Sequence, residues 1–414
     1  MRYLLLDPVG DYAARQKTFL DRLQLESVVI FSSKARYGVW EGKWKHHIGD
    51  GVVAAYLADE GTDLKALTAD IARDYPDGFA GIVPWDELHT VLAAEISELL
   101  DLHWNPPHVV ERFRDKYVMK AHLRKVGGVR VNASTVVTNA DEAMEFQQQL
   151  GRWPVVVKPT GGAGSMQVVV AENRGELLHG CQQVLEGGWG KVLLEEYIGG
   201  QEFAVNGMVD KDGDFLPTDV WAYDKRDVNG FSNLYYQSIK VSTHEEPFWD
   251  LARYAADVVS AMGLRRSPVH MEVKVDERGP CLIEVGARMA GGDQPVLASK
   301  LHHHSLFELA ACHYLSELPS SPRDVDYAHY DRYSARIVSG ISTRAIPRVQ
   351  AVHGYEEVQQ LPSFAGTGFV WPPGTGVPLT RDLNTKSYEF YLLHPDARQV
   401  EHDERLVRRL LRYE

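Results

Sequence analysis

The sequence predicts an α/β protein, with a parallel α/β domain at the N-terminus, mixed subdomains after it and a small β-rich part at the C-terminus. Three observations point there. "RYLLLD" and "ESVVIFS" are short apolar runs that read as buried strands flanking a helical stretch from about Ala13 to Leu23, and strands alternating with helices make a parallel sheet. The proline pair of "HWNPPHVV" interrupts this pattern and marks a boundary near residue 105. At 414 residues the chain also exceeds one ordinary hydrophobic core.

The elements follow in order. "GIVPWDELHTVLAAEISELLDL" reads as a strand end and a helix with Leu88, Val91, Leu92, Ile96 and Leu99 on one face. "VVERFRDKYVMKAHLRKVGGV" predicts one helix, centred on Val118 to Leu123 and stopped by Gly127 and Gly128. A hairpin, "PVVVK" then "MQVVVA", is joined by the small residues from Pro159 to Ser165. A helix in "RGELLHGCQQVLEGG" leads to the strands "KVLLEEYI" and "QEFAVNGMVDKDGDFLPTDVWAYD", the second broken by a "KDGD" turn. "EEPFWDLARYAADVVSAMGL" has helical spacing, "VHMEVKVDERGPCLIEVGARM" reads as a hairpin, and "HSLFELAACHYL" as a helix. From about Tyr333 the pattern is short strands and turns, closed by the charged helix "DERLVRRLLRYE".

Composition narrows the function classes. A net charge of −13 argues against a general nucleic-acid or membrane-surface binder. Cys181, Cys281 and Cys312 stand apart with no C-x-x-C, so neither a disulfide framework nor a zinc site is indicated. The N-terminal apolar run is too short for a signal peptide, and no stretch reaches the length of a membrane span. A soluble cytoplasmic protein is the expectation.

Four stretches could carry chemistry. In the opening hairpin, alternation puts Val155 and Val157 on one face and Val156 with Lys158 on the other, so the lysine leaves the sheet at the mouth of a glycine-rich loop. Such a loop can turn backbone N–H groups on an anion, or be an ordinary surface turn with a snorkelling lysine. In the later hairpin, a three-residue "ERG" turn sets Asp276 opposite Pro280, and counting back brings Glu272 opposite Glu284. Facing carboxylates repel unless a divalent cation sits between them or both are solvated. Arg288, followed by Gly291 and Gly292, could clamp a phosphate or carboxylate, or form a surface ion pair. "LLEEYIGGQE" could present backbone groups to a base edge and Glu202 to a ribose, or be a strand entering a turn; Lys116 is near phosphates or on a solvated face with Arg114, Lys120 and Lys125. Trp221, Tyr223, Tyr235 and Tyr236 are pocket or core, Asp293 an ammonium acceptor or helix cap, and His302 to His304 a surface cluster at a helix start.

The order of these stretches resembles the ATP-grasp superfamily, and within it the L-amino acid ligases and related carboxylate–amine ligases. The resemblance runs from about residue 1 to 400. It divides the chain into an N-terminal domain at 1–105, a small lid with its linker helix at 106–200, a larger subdomain with the metal site at 201–330, and a C-terminal part at 331–414. It implies that Lys116 and Lys158 hold ATP phosphates under a flap of Gly161, Gly162, Gly164 and Ser165. Glu195, Glu196, Tyr197 and Ile198 form the adenine hinge, Glu202 contacts ribose, and Glu272 and Glu284 bind Mg2+, with Mn2+ an admissible substitute. Arg288, with His270, Gly291 and Gly292, serves the substrate. Gly286 stands where many relatives have a metal-binding asparagine, a departure shared by amino acid ligases. The implied reaction is ATP-dependent amide formation, a dipeptide from L-amino acids, through an acyl phosphate. A carboxylase, another acyl-phosphate ligase and a non-catalytic ATP-binding protein are the competing readings. Small-molecule substrates and a homodimer are expected.

Overall fold

The computed structural model describes residues 2–8, 20–21, 25–45, 51–84, 87–161, 167–315 and 324–414. Strands β1 (Arg2–Leu6), β2 (Glu26–Phe31), β3 (Val52–Leu57) and β4 (Ile82–Pro84) form a parallel sheet in the order β3-β2-β1-β4. Both faces are covered, as a parallel sheet requires. Tyr3 and Leu5 enter the main core of the molecule, whereas Leu4 and Leu6 pack with Val28, Ile71 and Ile96. The helix expected over Ala13 to Leu23 lies outside the described residues except at Leu20 and Asp21, which are helical.

The helix Thr90–Leu99 buries Thr90, Ala93, Ala94, Ile96 and Ser97. Ile96 is buried and Leu92 packs against the same core, but Leu88 and Leu99 are exposed, so the predicted apolar face holds only in part. Small residues let that helix approach its neighbours closely, and a count of large apolar side chains overlooks them. The single helix expected after the proline pair is two. Pro107–Val110 runs into a turn ending at Phe113, and a separate helix, Lys116–Val126, starts at Asp115. The Asp115 carboxylate accepts the backbone N–H groups of Tyr117 and Val118, which is what restarts the helix.

Strands β5 (Ser134–Val137), β6 (Val155–Lys158), β7 (Val169–Ala171) and β8 (Val192–Glu196) form an antiparallel sheet in the order β5-β8-β6-β7. Val155, Val157, Val192 and Leu194 pack against Phe146 and Leu177 from the helices Ala140–Leu150 and Arg174–Val184. Period-two alternation then turns Val156, Lys158 and Glu195 to the opposite face.

The largest sheet contains β9 (Gln201–Val209), β10 (Phe215–Val228), β11 (Phe231–Lys240), β12 (Ser267–Asp276), β13 (Gly279–Gly286) and β14 (Ser334–Ser339). Past a short pair made by β15 (Val352–His353) with the last strand, β16 (Phe364–Val370) and β17 (Tyr388–His394) complete the eight strands; β18 is Arg412–Tyr413. The order is β13-β12-β9-β10-β11-β14-β17-β16, so the C-terminal strands extend the sheet begun by the middle of the chain. The helix Glu246–Met262 packs on it through Leu251, Ala255, Val258 and Val259 and stops at the left-handed Gly263.

Candidate active site

Cross-strand register builds one wall of the site. Glu284 pairs with Glu272, which pairs with Ala204. One rung away, Gly286, His270, Asn206 and Asp219 lie side by side across β13, β12, β9 and β10. In the other direction Lys274, Glu202 and Tyr223 form a third rung on the same face. The facing of Glu272 and Glu284 matches the sequence reading, but the turn does not. Asp276 pairs with Gly279 rather than Pro280, and an extra residue at Ile283, a β-bulge, restores the register before Glu272.

The two facing carboxylates have unequal surroundings. Burial pushes the Glu272 acid up, as do Glu284 and Glu202, against the opposing pull of Lys225. Burial works the same way on Glu284, but Lys116 and Lys158 outweigh it and hold that carboxyl below its ordinary value. Lys116 Nζ lies 3.0 Å from Glu284 Oε2. Tyr235 donates its hydroxyl to Glu272 at 3.2 Å. Two acid groups on adjacent strands, one of them destabilised as an anion, are a donor set suited to a hard divalent cation.

The opposite wall comes from the sheet β5-β8-β6-β7 and the helix Lys116–Val126. Glu195 is buried between two lysines: Lys158 Nζ is 2.8 Å from Oε2, and Lys120 donates to Oε1. Burial opposes ionisation of Glu195, yet Lys120 and Lys158 hold it at about 2. Lys120 itself is brought down to about 8, chiefly by complete burial. The solvated helix face expected around Lys116 and Lys120 is therefore a correction: both are buried, and of that set Lys125 is exposed. Lys120 was missed by the sequence reading, although it lies one helical turn beyond Lys116, where two side chains share a face.

A cavity of about 540 Å³ lies between these walls, lined among others by Lys116, Lys158, Glu195, Glu202, Glu272 and Glu284. Tyr197 and Ile198 reach it, as do Lys225 and the segment Arg381 to Leu383 of the C-terminal part. Glu196 lines it too, but its carboxylate is bound by Arg152 and Arg278 and accepts the Ala133 N–H. Glu202 accepts from Lys225 at 2.5 Å. Burial works against the charge of Lys225, and Glu202 and Glu272 outweigh it. Lys225 lies 4.3 Å from the Tyr235 ring centroid, a second cation that sequence inspection missed. Gly161 is described; Gly162, Gly164 and Ser165 lie outside the described residues.

Arg288 ends this ladder of charges. Its Nε and Nη2 both donate to Glu87 Oε2, at 3.0 and 2.6 Å, and Arg114 donates to Glu87 Oε1 at 2.7 Å. Glu87 follows β4, so the N-terminal domain supplies the acid that holds the arginine. No local motif could reveal a pair 201 residues apart. A Cβ on Gly286 would meet the Arg288 side chain at 3.4 Å, so a larger residue there would compete with the arginine's path. Gly292 has φ +64° and lies with Gly291 in the loop before the helix Gln294–Ser299. Trp221 and Tyr223 are core, Tyr235 lines the cavity, and Tyr236 is sandwiched between Arg226 and Arg408. Asp293 accepts the Tyr391 hydroxyl and makes no side-chain cap.

The matched segment brackets this machinery. Residues 151–295 match the family model described as the ATP-grasp domain. The chain carries an ATP-grasp domain. Over its full length the fold is similar to that of an L-amino acid ligase from Bacillus licheniformis, at TM-score 0.73 and 17% identity, covering 100% of this chain and 98% of that one. A phosphoribosylglycinamide synthetase from Anaerococcus prevotii is also similar in fold, at TM-score 0.66 and 14% identity, with 100% and 99% covered. In sequence, 203 residues are 30% identical to dapdiamide A synthase of Enterobacter agglomerans, 46% of each chain. Another 185-residue match is 31% identical to a D-alanine–D-alanine ligase of Gloeobacter violaceus, over 41% of this chain and 57% of that one. The matches thus span about half the length of these curated relatives. The ATP-grasp segment includes Lys158, Glu195, Glu202, Glu272, Glu284 and Arg288, whereas Lys116, Lys120 and Glu87 precede it.

Proposed function

We propose that this chain is an ATP-dependent carboxylate–amine ligase that makes an amide, a dipeptide from L-amino acids, and releases ADP and phosphate. The observation that carries this reading is the convergence on one 540 Å³ cavity of two lysines and two opposed carboxylates, with Arg288 next along the same ladder. The likeness to dapdiamide A synthase and D-alanine–D-alanine ligase supports it.

Activation of a carboxylate by ATP asks for charge neutralisation more than for covalent chemistry. Lys116 and Lys158 would bind phosphate oxygens, and each already neutralises a carboxylate, Glu284 and Glu195, at 3.0 and 2.8 Å. Glu272 and Glu284 would hold Mg2+, or Mn2+ in its place. That ion, when bound, supplies positive charge at the transferring phosphoryl group. Tyr197 and Ile198 would flank the adenine and Glu202 the ribose. Arg288, turned by Glu87, would orient the substrate carboxylate and the acyl phosphate formed from it, near His270, Gly291 and Gly292. The loop Gly161 to Ser165 would close over the phosphates and exclude the water that hydrolyses an acyl phosphate. An amine then displaces phosphate. We further propose a cytoplasmic homodimer; among the described residues no helix is long and apolar enough to cross a membrane.

The test is ADP release from ATP and Mg2+ with pairs of L-amino acids, followed by mass spectrometry of the product. Amino-acid-dependent ADP with a new amide is expected. No amino-acid-dependent release across a broad panel would sink the ligase, and release dependent on bicarbonate would favour a carboxylase.

A further inference from the structure

The cavity has a cation at its edge that the reading above does not use. Arg381 and Leu383 line it from the C-terminal part, and Gly230, Phe231 and Asn233 line it from the start of β11. Asn229, in the turn between β10 and β11, ties these two segments together. Its Nδ2 donates to the carbonyls of Ser342 and Thr380, both at 2.9 Å, and its backbone is left-handed with φ +61°. Thr385 Oγ1 accepts the N–H groups of Arg381 and Asp382, both at 2.9 Å, and the Asp382 carboxylate accepts the Asn384 N–H at 3.0 Å. The arginine therefore leaves a braced loop.

Its charge is the least engaged around the cavity. Lys116, Lys158 and Lys225 each have a carboxylate oxygen within 3.0 Å. Lys274 lies 3.9 Å from Glu202 but also 5.0 Å from the centre of the Tyr197 ring. Among the described residues the carboxylate near the Arg381 guanidinium is its neighbour Asp382, at 3.9 Å, beyond hydrogen-bond length. The hairpin beside it also has a definite place. Lys225 of β10 bonds Glu202, and Tyr235 of β11 bonds Glu272. The hairpin thus spans from the acid assigned to ribose to the acids assigned to the metal, the interval that a phosphate chain would occupy.

We propose that Arg381 is a further nucleotide-binding residue that pairs with a phosphate oxygen of ATP, and that Asn229 positions it by tying the C-terminal loop to the hairpin. This rests on the ATP reading of the cavity. A guanidinium gains most from an ionised oxygen, which its two-pronged donor set fits, and the phosphates are the ionised groups of the nucleotide.

Calorimetric titration with ATP and Mg2+, and competition by adenosine against bound ATP, test both parts. Arg381→Ala should weaken ATP about tenfold, the worth of one charged hydrogen bond, and leave adenosine within about twofold. Arg381→Lys should recover part of the loss. Asn229→Gly keeps the left-handed backbone and removes both amide bonds. It should weaken ATP by less, and add little to Arg381→Ala in the double variant. Unchanged ATP affinity in Arg381→Ala overturns the proposal. An equal loss for adenosine puts the guanidinium on the base and overturns the phosphate contact. Fully additive losses overturn the positioning role of Asn229. A wild type that binds no ATP overturns the ATP reading itself, and the contact falls with it.

Discussion

The two walls of the cavity handle buried charge in opposite ways. On the wall built by the smaller antiparallel sheet Glu195 sits between Lys120 and Lys158, and each of its oxygens has a cation. On the sheet wall Glu272 faces Glu284, and Lys116 closes on the second alone, 3.0 Å away. The first arrangement is complete within the protein. The second leaves an acid that burial and a like-charged neighbour push up, so an added cation would favour the charged form of both carboxylates. From the sequence, Glu195 is expected in an adenine hinge and Glu272 with Glu284 at a metal ion. Their partners separate them: Glu195 is held by two lysines, whereas in the facing pair, among the described residues, only Glu284 has a lysine within ion-pair distance.

The largest effect that can break this contrast is expected at Glu195. Glu195→Ala strands Lys120 and Lys158 as buried cations and should cost about 3–5 kcal/mol. Thermal melting at neutral pH would read it as a drop of many degrees; a melting point equal to wild type would mean that the lysines do not depend on Glu195. The folded-state pKa of Glu195 is depressed, so its contribution is present above the ordinary carboxylate range. It should be lost only as pH falls toward about 2. Next in size is Glu284→Ala, which should lower turnover by at least about 100-fold while the fold survives, because it removes transition-state charge stabilisation. Circular dichroism beside an ADP-release assay checks both halves. Near-normal turnover would sink the metal assignment.

How much of this was legible in sequence follows the range of the interactions. Local order was readable: the parallel N-terminal sheet, the hairpin of β6 and β7, and the helix from Glu246 to its glycine stop. The facing of Glu272 and Glu284 was readable too, although one shift at the turn and one bulge at Ile283 had to cancel. Periodicity failed where packing chose small residues, as at Ala93 and Ala94. It could not reach the residues whose meaning comes from distant partners. Glu87 is explained only by Arg288, and Lys120 only by Glu195, 75 residues later in the chain. The tail looked irregular because β16 and β17 pair through two register shifts, which blur strand alternation.

The smallest effect is the sharpest probe of the sheet wall. Glu272→Gln keeps the shape of the side chain and removes its charge. Burial raises the Glu272 acid, and Glu284 and Glu202 add to that. The folded protein therefore binds a proton that the unfolded chain has released once pH exceeds the ordinary glutamate value of about 4.3. Stability of the wild type must fall as pH rises through that window, and the glutamine variant escapes the loss. Without divalent cations, Glu272→Gln should melt a few degrees above wild type at pH 8, an effect of about 1 kcal/mol, and close to it at pH 4. Added Mg2+ should raise the wild-type melting point and leave the variant where it was, since binding to the native state alone stabilises by mass action. A variant less stable than wild type at pH 8 would place Glu272 with Glu195, as an acid already satisfied by its neighbours. Equal Mg2+ stabilisation of both proteins would move the cation off this pair.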